Sequence, residues 1–318
     1  MKKLKPKVSI VGAGNVGVRY AYALLIRGLA REVLLVDIDK ERAEGEVMDL
    51  AHGAPYINPV KISAGGYEDT KDSDLVVITA GKNQDPGETR LDLMRKNVDL
   101  MRMIIPDLME YTPNAIFLVV SNPVDILSYA AYKISGKPSQ EVIGSGTVLD
   151  SARFRYLIGD HCNIDPHNVH AYILGEHGDS EFPVWSKAML GGVLLKKYKD
   201  ICPNRETCDH NKELNKIFER VKNSAYKIIE RKGETSYGIG LAMVRITRAI
   251  LNDENAVLPV SSLVEDYLGY SDLYLSLPSV LNDHGIRETM YLNLNEQEKD
   301  WFKHSANIMR SNIEKLNL

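Results

Sequence analysis

The chain is poor in cysteine, in basic clusters and in long apolar runs. Three cysteines, Cys162, Cys202 and Cys208, occur in 318 residues. So few exclude a disulfide framework and point to a reduced, cytoplasmic protein. Cys202, Cys208 and His210 lie close together, but their spacing is not a zinc pattern and a fourth ligand is missing nearby, so no metal is expected. Lys and Arg number 39 against 43 Asp and Glu, a net charge of −4. The basic stretch Lys2 to Lys7 is too short for a nucleic-acid surface. No uninterrupted apolar run reaches membrane-spanning length, and the one behind Lys7 is broken by Gly12, Gly14 and Asn15. Neither nucleic acid nor membrane is therefore an expected partner. Repeats, low-complexity tracts and flexible linkers are also missing. What remains is ordinary globular composition, 44% hydrophobic and 26% charged, in a chain long enough for a large core.

What is present is more specific. Val8-Ser9-Ile10-Val11 reads as a buried strand and runs directly into Gly12-Ala13-Gly14-Asn15-Val16-Gly17. A helical pattern follows through Tyr20, Ala23, Leu24 and Gly28. This is G-x-G-x-x-G in a strand–turn–helix setting. The first glycine makes the tight turn, the second lets a pyrophosphate approach the backbone, and the third lets helix pack on strand. The helix N-terminus adds free N–H groups and partial positive charge for phosphates. A second strand, Val33-Leu34-Leu35-Val36, ends at Asp37. A carboxylate there suits two ribose hydroxyls and repels a 2′-phosphate, so NAD is the expected dinucleotide rather than NADP.

Helical and strand-like segments go on alternating. Lys40 to Leu50 and Arg90 to Tyr111 read as helices. Leu75 to Thr79 and Ile116 to Val120 read as apolar strands, ending in Ala80-Gly81 and Ser121-Asn122-Pro123. Apolar strands interleaved with helices predict an α/β fold, a Rossmann-type doubly wound parallel sheet covered on both faces. Ligands of such sheets lie beyond the C-terminal strand ends, where Gly12, Asp37, Gly81 and Asn122 fall. Past about residue 145 the pattern changes. Helices are expected over 148–160, 212–231, 236–251 and 296–315. Strands are expected over 169–174, 181–185 and 192–195, with short strand-like runs within 256–264 and 273–290. The expected division is a dinucleotide-binding domain, residues 1–145, and an α+β substrate domain, residues 146–318, that covers the cofactor.

The second half centres on Gly175-Glu176-His177-Gly178-Asp179-Ser180. A histidine after an apolar run, among small neighbours, can offer an imidazole to a small substrate. A solvated loop with a capping histidine is the plainer alternative. Further stretches stand beside it: Asn83-Gln84-Asp85-Pro86-Gly87-Glu88-Thr89-Arg90, Ser121-Asn122-Pro123-Val124-Asp125 and Leu149-Asp150-Ser151-Ala152-Arg153-Phe154-Arg155. With these marks and the glycine motif, the chain resembles the lactate/malate dehydrogenase superfamily over essentially its whole length. Within it, the resemblance is to the bacterial L-lactate dehydrogenases. The segment before Val8 is short, so the long N-terminal arm of the vertebrate members is not expected.

The resemblance implies roles. His177 would give a proton to the substrate oxygen and take it back in reverse; its ordinary pKa, about 6.5, suits both directions. Asp150 would orient the imidazole and stabilise the imidazolium, though it is also placed to cap the helix that follows it. Arg153 would hold the substrate carboxylate through two parallel hydrogen bonds. Arg90, on a mobile loop with an Asp85-Pro86-Gly87 turn, would polarise the carbonyl as the loop closes. Asn122 would touch cofactor and substrate, Thr235 the carboxylate end, and Ile239 the nicotinamide. The same resemblance adds Val16, Arg42, Tyr67, Gly81, Lys82, Val120 and Ser145 to the cofactor contacts of Gly12, Gly14, Gly17 and Asp37.

Gln84 speaks to the substrate. Lactate enzymes resemble one another in carrying glutamine there, where malate enzymes carry arginine. A second carboxylate buried beside a neutral amide would stay unpaired, at a cost of several kcal/mol, so pyruvate is expected over oxaloacetate. Asp85 departs from the lysine of many relatives and adds negative charge beside an anion site. Arg155 and His170 match the positions where allosteric bacterial members bind fructose 1,6-bisphosphate between subunits. That implies an activator and a homo-oligomer, a tetramer by resemblance. The alternatives are malate or broader 2-hydroxy acid oxidation, a metal-assisted NAD-dependent glycosidase, whose Cys/His ligands are missing, and a dinucleotide sensor without turnover.

Overall fold

The structure, a computed structural model, describes residues 6–83, 87–200, 202, 206 and 209–318. The first half alternates as its sequence pattern predicts. In order come β1 (Lys7–Val11), α1 (Asn15–Arg27), β2 (Glu32–Val36), α2 (Lys40–His52), β3 (Lys61–Gly65) and β4 (Leu75–Ile78). Then follow α3 (Arg90–Tyr111), β5 (Ile116–Val119), α4 (Val124–Ser135) and β6 (Val142–Gly144). All six strands run parallel in the order β3-β2-β1-β4-β5-β6. This is the Rossmann order, which reverses between β1 and β4 and opens a crevice there.

The apolar strands are apolar because both faces are covered. Side chains alternate across a strand. Val76 and Ile78 of β4 and Phe117 and Val119 of β5 join α3 and α4 on one face. Leu75, Val77, Ile116 and Leu118 join α1 on the other.

The second half begins with α5 (Val148–Cys162), β7 (Val169–His170), β8 (Ile173–Leu174), β9 (Phe182–Pro183), β10 (Met189–Leu190), β11 (Val193–Leu194) and α6 (Leu195–Tyr198). It continues with α7 (His210–Lys222), α8 (Ser224–Lys232) and α9 (Tyr237–Leu251). Last come β12 (Ala256–Val264), β13 (Leu273–Asn282), β14 (Gly285–Thr289) and α10 (Glu296–Leu316). Strands β12 to β14 extend the parallel sheet as antiparallel neighbours, joined through Ser261 of β12 opposite Gly144 of β6. The sheet thus has nine strands and runs through both halves. Helix α9 completes the α1 face and α10 the opposite one. A third core, with Phe154, Ile158, Val169, Leu190 and Val221, packs α5 against β7, β10 and α7.

Three expectations are corrected. The strand over 169–174 is two pieces: β7 pairs with β10, and β8 with β9. Hydroxyls from α5 and the residue that precedes it capture Ile173, whose N–H donates to Ser151 Oγ and whose carbonyl accepts from Thr147 Oγ1. The helix over 212–231 breaks between α7 and α8, where the Asn223 side chain donates to the Glu219 carbonyl at 2.8 Å and competes with the helical ladder. The short runs in 273–290 are one ten-residue strand, β13, and its hairpin partner β14.

Candidate active site

The expected dinucleotide contacts gather at the C-terminal edge of the parallel sheet. Gly12 to Gly17 link β1 to α1, Asp37 follows β2, Tyr67 follows β3 and Gly81 and Lys82 follow β4. Val120 and Asn122 follow β5, and Ser145 follows β6. The glycine turn is tight inside and open outside. Gly12 has φ +111°, and a Cβ on it would lie 2.6 Å from the Ala80 amide nitrogen. A Cβ on Gly17 would run into the Gly12 carbonyl, whereas Gly14 faces open space. No side chain caps α1 at Gly14, so its first-turn N–H groups stay available to phosphate. Asp37 accepts N–H bonds from Ala13 at 2.6 Å and Asp39 at 2.9 Å, which aims its carboxylate across the turn. Arg42 lies exposed in the first turn of α2. Ile239, in the first turn of α9, packs against the core under α1.

The His177–Asp150 pair is built from α5 and the loop after β8. Asp150 lies in the first turn of α5, almost wholly buried, and takes a 2.7 Å hydrogen bond from Arg153 one turn on. Its other oxygen lies 2.8 Å from His177 Nδ1. Burial alone would raise the Asp150 carboxyl, but His177 and Arg153 outweigh it and hold it below the usual range. Burial likewise opposes protonation of His177; the charge of Asp150, then Glu181 and Asp125, overrides it and raises the imidazole to about 9. The loop itself is pinned by main-chain bonds. The His177 N–H donates to Asp125 at 2.6 Å, and the Glu176 N–H to Ser305 at 2.6 Å. Gly175, at φ +95°, pairs with Ser276 of β13, and a Cβ there would strike Ser305. Asp125 is buried and accepts from Ser261; that burial, before all else, pushes its carboxyl up to about 7.

Arg90 opens α3 and reaches Asp179 and Tyr226 of α8, so its guanidinium is held beside the loop that carries His177. Asn122 is exposed and precedes a cis bond to Pro123. Thr235 lies half-buried just before α9. Gln84, Asp85 and Pro86 lie outside the described residues, as do Cys208 and the His210 side chain. Cys162 and Cys202 are both buried. Arg155 is half-buried on α5 and its Nε has no hydrogen-bond partner among the described residues. His170 is exposed on β7, which packs against α5.

With this geometry in place, two family models cover nearly the whole chain. One, described as lactate/malate dehydrogenase, NAD binding domain, matches residues 6–144, and the other, the alpha/beta C-terminal domain of the same family, matches 147–317. The chain belongs to the lactate/malate dehydrogenase family. It is 51% identical over 314 residues to L-lactate dehydrogenase 2 of Bacillus cereus, covering 98% of this chain and 99% of that one. It is 49% identical over 304 residues to an L-lactate dehydrogenase of Priestia megaterium, covering 96% and 94%. Among solved structures, a lactate dehydrogenase from a Medee basin deep-sea metagenome library superposes with a TM-score of 0.95 at 46% identity, over the whole of both chains. The minor L-lactate dehydrogenase of Enterococcus mundtii gives 0.94 at 42%, over 99% of each.

As a member of this family the chain is an oxidoreductase that binds NAD. The open glycine turn and Asp37 fit that group without rearrangement. Among the described residues, no helix is long and apolar enough to cross a membrane. Sequence reasoning missed the scaffold. Asn97 of α3, fully buried, accepts from the Lys82 N–H at 2.7 Å and donates to the Lys82 and Asn122 carbonyls, tying two loops together. Asp125, Ser261, Ser276 and Ser305 hold the His177 loop, and Glu181 stands within 4.8 Å of Asp150 and His177. Only the Asp125 motif carried any sequence signal.

Proposed function

We propose that this enzyme interconverts pyruvate and L-lactate with NADH and NAD. The observation that carries the reading is His177, held 2.8 Å from a buried Asp150 that also binds Arg153. When bound, the dinucleotide supplies or accepts the hydride. Gly12 to Gly17 and Asp37 hold it, with Val16, Arg42, Tyr67, Gly81, Lys82, Val120, Asn122, Ser145 and Ile239 along its length. His177 gives its proton to the carbonyl oxygen, and Asp150 keeps the imidazole turned and charged until it does. Arg153 commits one of its five N–H donors to Asp150 and keeps others for a carboxylate. Thr235 and Asn122 complete the carboxylate and carbonyl contacts. Arg90 leaves Asp179 to face the carbonyl as its loop closes. Gln84 selects a methyl over a second carboxylate.

The same reading divides the chain near residue 145 into cofactor and substrate domains. It places the enzyme in the cytoplasm as a homotetramer, activated by fructose 1,6-bisphosphate at Arg155 and His170. The unpartnered Arg155 Nε and the exposed His170 support a phosphate site there. The deciding assay is NADH oxidation with pyruvate and with oxaloacetate, each with and without the bisphosphate. Pyruvate is expected to give kcat/KM at least about 100-fold higher, since an unpaired carboxylate is strongly rejected. The bisphosphate is expected to lower KM for pyruvate. A preference for oxaloacetate sinks the substrate, and an unchanged KM sinks the activator.

A further inference from the structure

We propose that Glu181 is a positioning residue of the proton centre, a second buried carboxylate that sets the proton affinity of His177. The inference rests on His177 being the proton carrier of the reaction proposed above.

Glu181 follows the His177 loop and precedes β9. Its N–H donates to the Gly178 carbonyl at 3.3 Å, a turn that folds it back toward the histidine. Only 6% of its surface is exposed. Its carboxylate, an Asp150 oxygen and an imidazole nitrogen of His177 all lie within 4.8 Å of one another. Charges face this group from every element around it. Helix α5 brings Asp150 and Arg153, α4 brings Asp125, and α7 brings Lys222. The loop itself adds Glu176 and Asp179, and α3 adds Arg90.

The charges balance in one protonation state and not in the next. With His177 protonated, two cations, His177 and Arg153, meet two anions, Asp150 and Glu181. With His177 neutral, Arg153 faces both carboxylates with only Lys222 beside it, acting on Glu181, and like charges this close in a buried site disfavour double ionisation. Glu181 therefore gives up its proton first, and its charge then holds the proton of His177 to higher pH. Burial first, and Asp150 second, push the Glu181 carboxyl up to about 8, against the pull of His177, Arg153 and Lys222. Asp150 is held ionised by the same two cations. Two carboxylates beside one imidazole are thus pushed apart, one the fixed counter-ion and one able to hold a proton. Glu181 and His177 then titrate as a coupled pair, and the imidazole loses its proton in two steps rather than one.

The test uses the full-length enzyme loaded with NADH. In Glu181→Gln the neutral amide removes the field of the carboxylate. The alkaline limb of kcat/KM for pyruvate should move down by about half to one pH unit, a loss of about three- to ten-fold at alkaline pH. Glu181→Asp should restore part of that shift. A limb that does not move in Glu181→Gln overturns the proposal. A nitrogen-15 NMR titration of His177 in the unmodified enzyme decides the matter without any variant. A broadened or two-step curve is expected, and a single-proton curve overturns it. That titration needs no turnover. Failure to reduce pyruvate would count against the reaction, and a single-step titration against Glu181 alone.

Discussion

His177 keeps its proton against the pull of burial, because Asp150 is close, buried and itself held ionised by Arg153. The sign of the pH response follows. Pyruvate reduction needs the imidazolium and should hold up to about pH 9, then fall. Lactate oxidation needs the neutral ring and should rise across the same range. Asp150→Asn keeps the shape and removes the charge. It should move the reduction limb downward and cost about 10²- to 10⁴-fold in kcat/KM, read from paired pH profiles. An unshifted limb would remove Asp150 from its role. Folding is linked to the same proton. The imidazole binds it more tightly folded, at about 9, than at its usual 6.5. This stabilisation is complete below the lower value and is lost as pH rises through the higher one. His177, Asp150 and Arg153 were legible in the sequence because their motifs are local. The Asp125 carboxylate that pins His177 was not legible in that role, since its partner amide lies 52 residues away. Glu181 was not, because nothing in its spacing marks it as buried.

Elements were legible where periodicity alone determines them. Helix α3 begins and ends on the residues its pattern predicts, whereas β12, expected only as short runs, is one nine-residue strand. Strand β13, expected only as short runs, carries Ser276, Pro278 and Ser279 among its apolar residues. In the sheet their polar groups are satisfied: Ser276 Oγ accepts the Thr147 N–H, and Ser279 Oγ donates to the Leu277 carbonyl. The start of α3 bears most on the proposed reaction, since Arg90 is its first residue. Thr89 and Asp92 form a capping box there, each side chain satisfying the other's backbone N–H. Thr89→Ala should cost about 1 kcal/mol of that turn. The frayed turn should lower kcat/KM for pyruvate by about three- to tenfold, because a misplaced Arg90 is a loss in the closed state. NADH affinity should stay the same, and Thr89→Ser should restore the rate. A Thr89→Ala enzyme that weakens NADH binding instead would place the effect in the cofactor crevice.

At the scale of the molecule, the nine-stranded sheet joins both halves, so the crevice above β1 and β4 and the His177 loop are carried on one rigid layer. Gly175 pairs with β13, and β13 reaches β6 through β12. The outside of this layer is less finished. Tyr22 and Ile26 of α1, Met48 of α2 and Leu241 of α9 are all more than half exposed. Tyr22 and Ile26 border a cavity of about 120 Å³ with Leu25, Asp49, Leu50, Gly53 and Ile57, a groove between α1 and α2. Apolar residues of this size, grouped on helices that pack inward by their other side, suit a subunit contact. If the proposed tetramer uses this surface, Ile26→Glu places a charge in the contact at a cost of several kcal/mol without touching the core. Light scattering behind size exclusion should then report a smaller assembly, while thermal unfolding of the chain stays cooperative. The bisphosphate, whose proposed residues lie on α5 and β7 rather than on α1, should restore part of the mass by binding only the assembled form. An Ile26→Glu protein of unchanged mass would move the interface off the α1 surface.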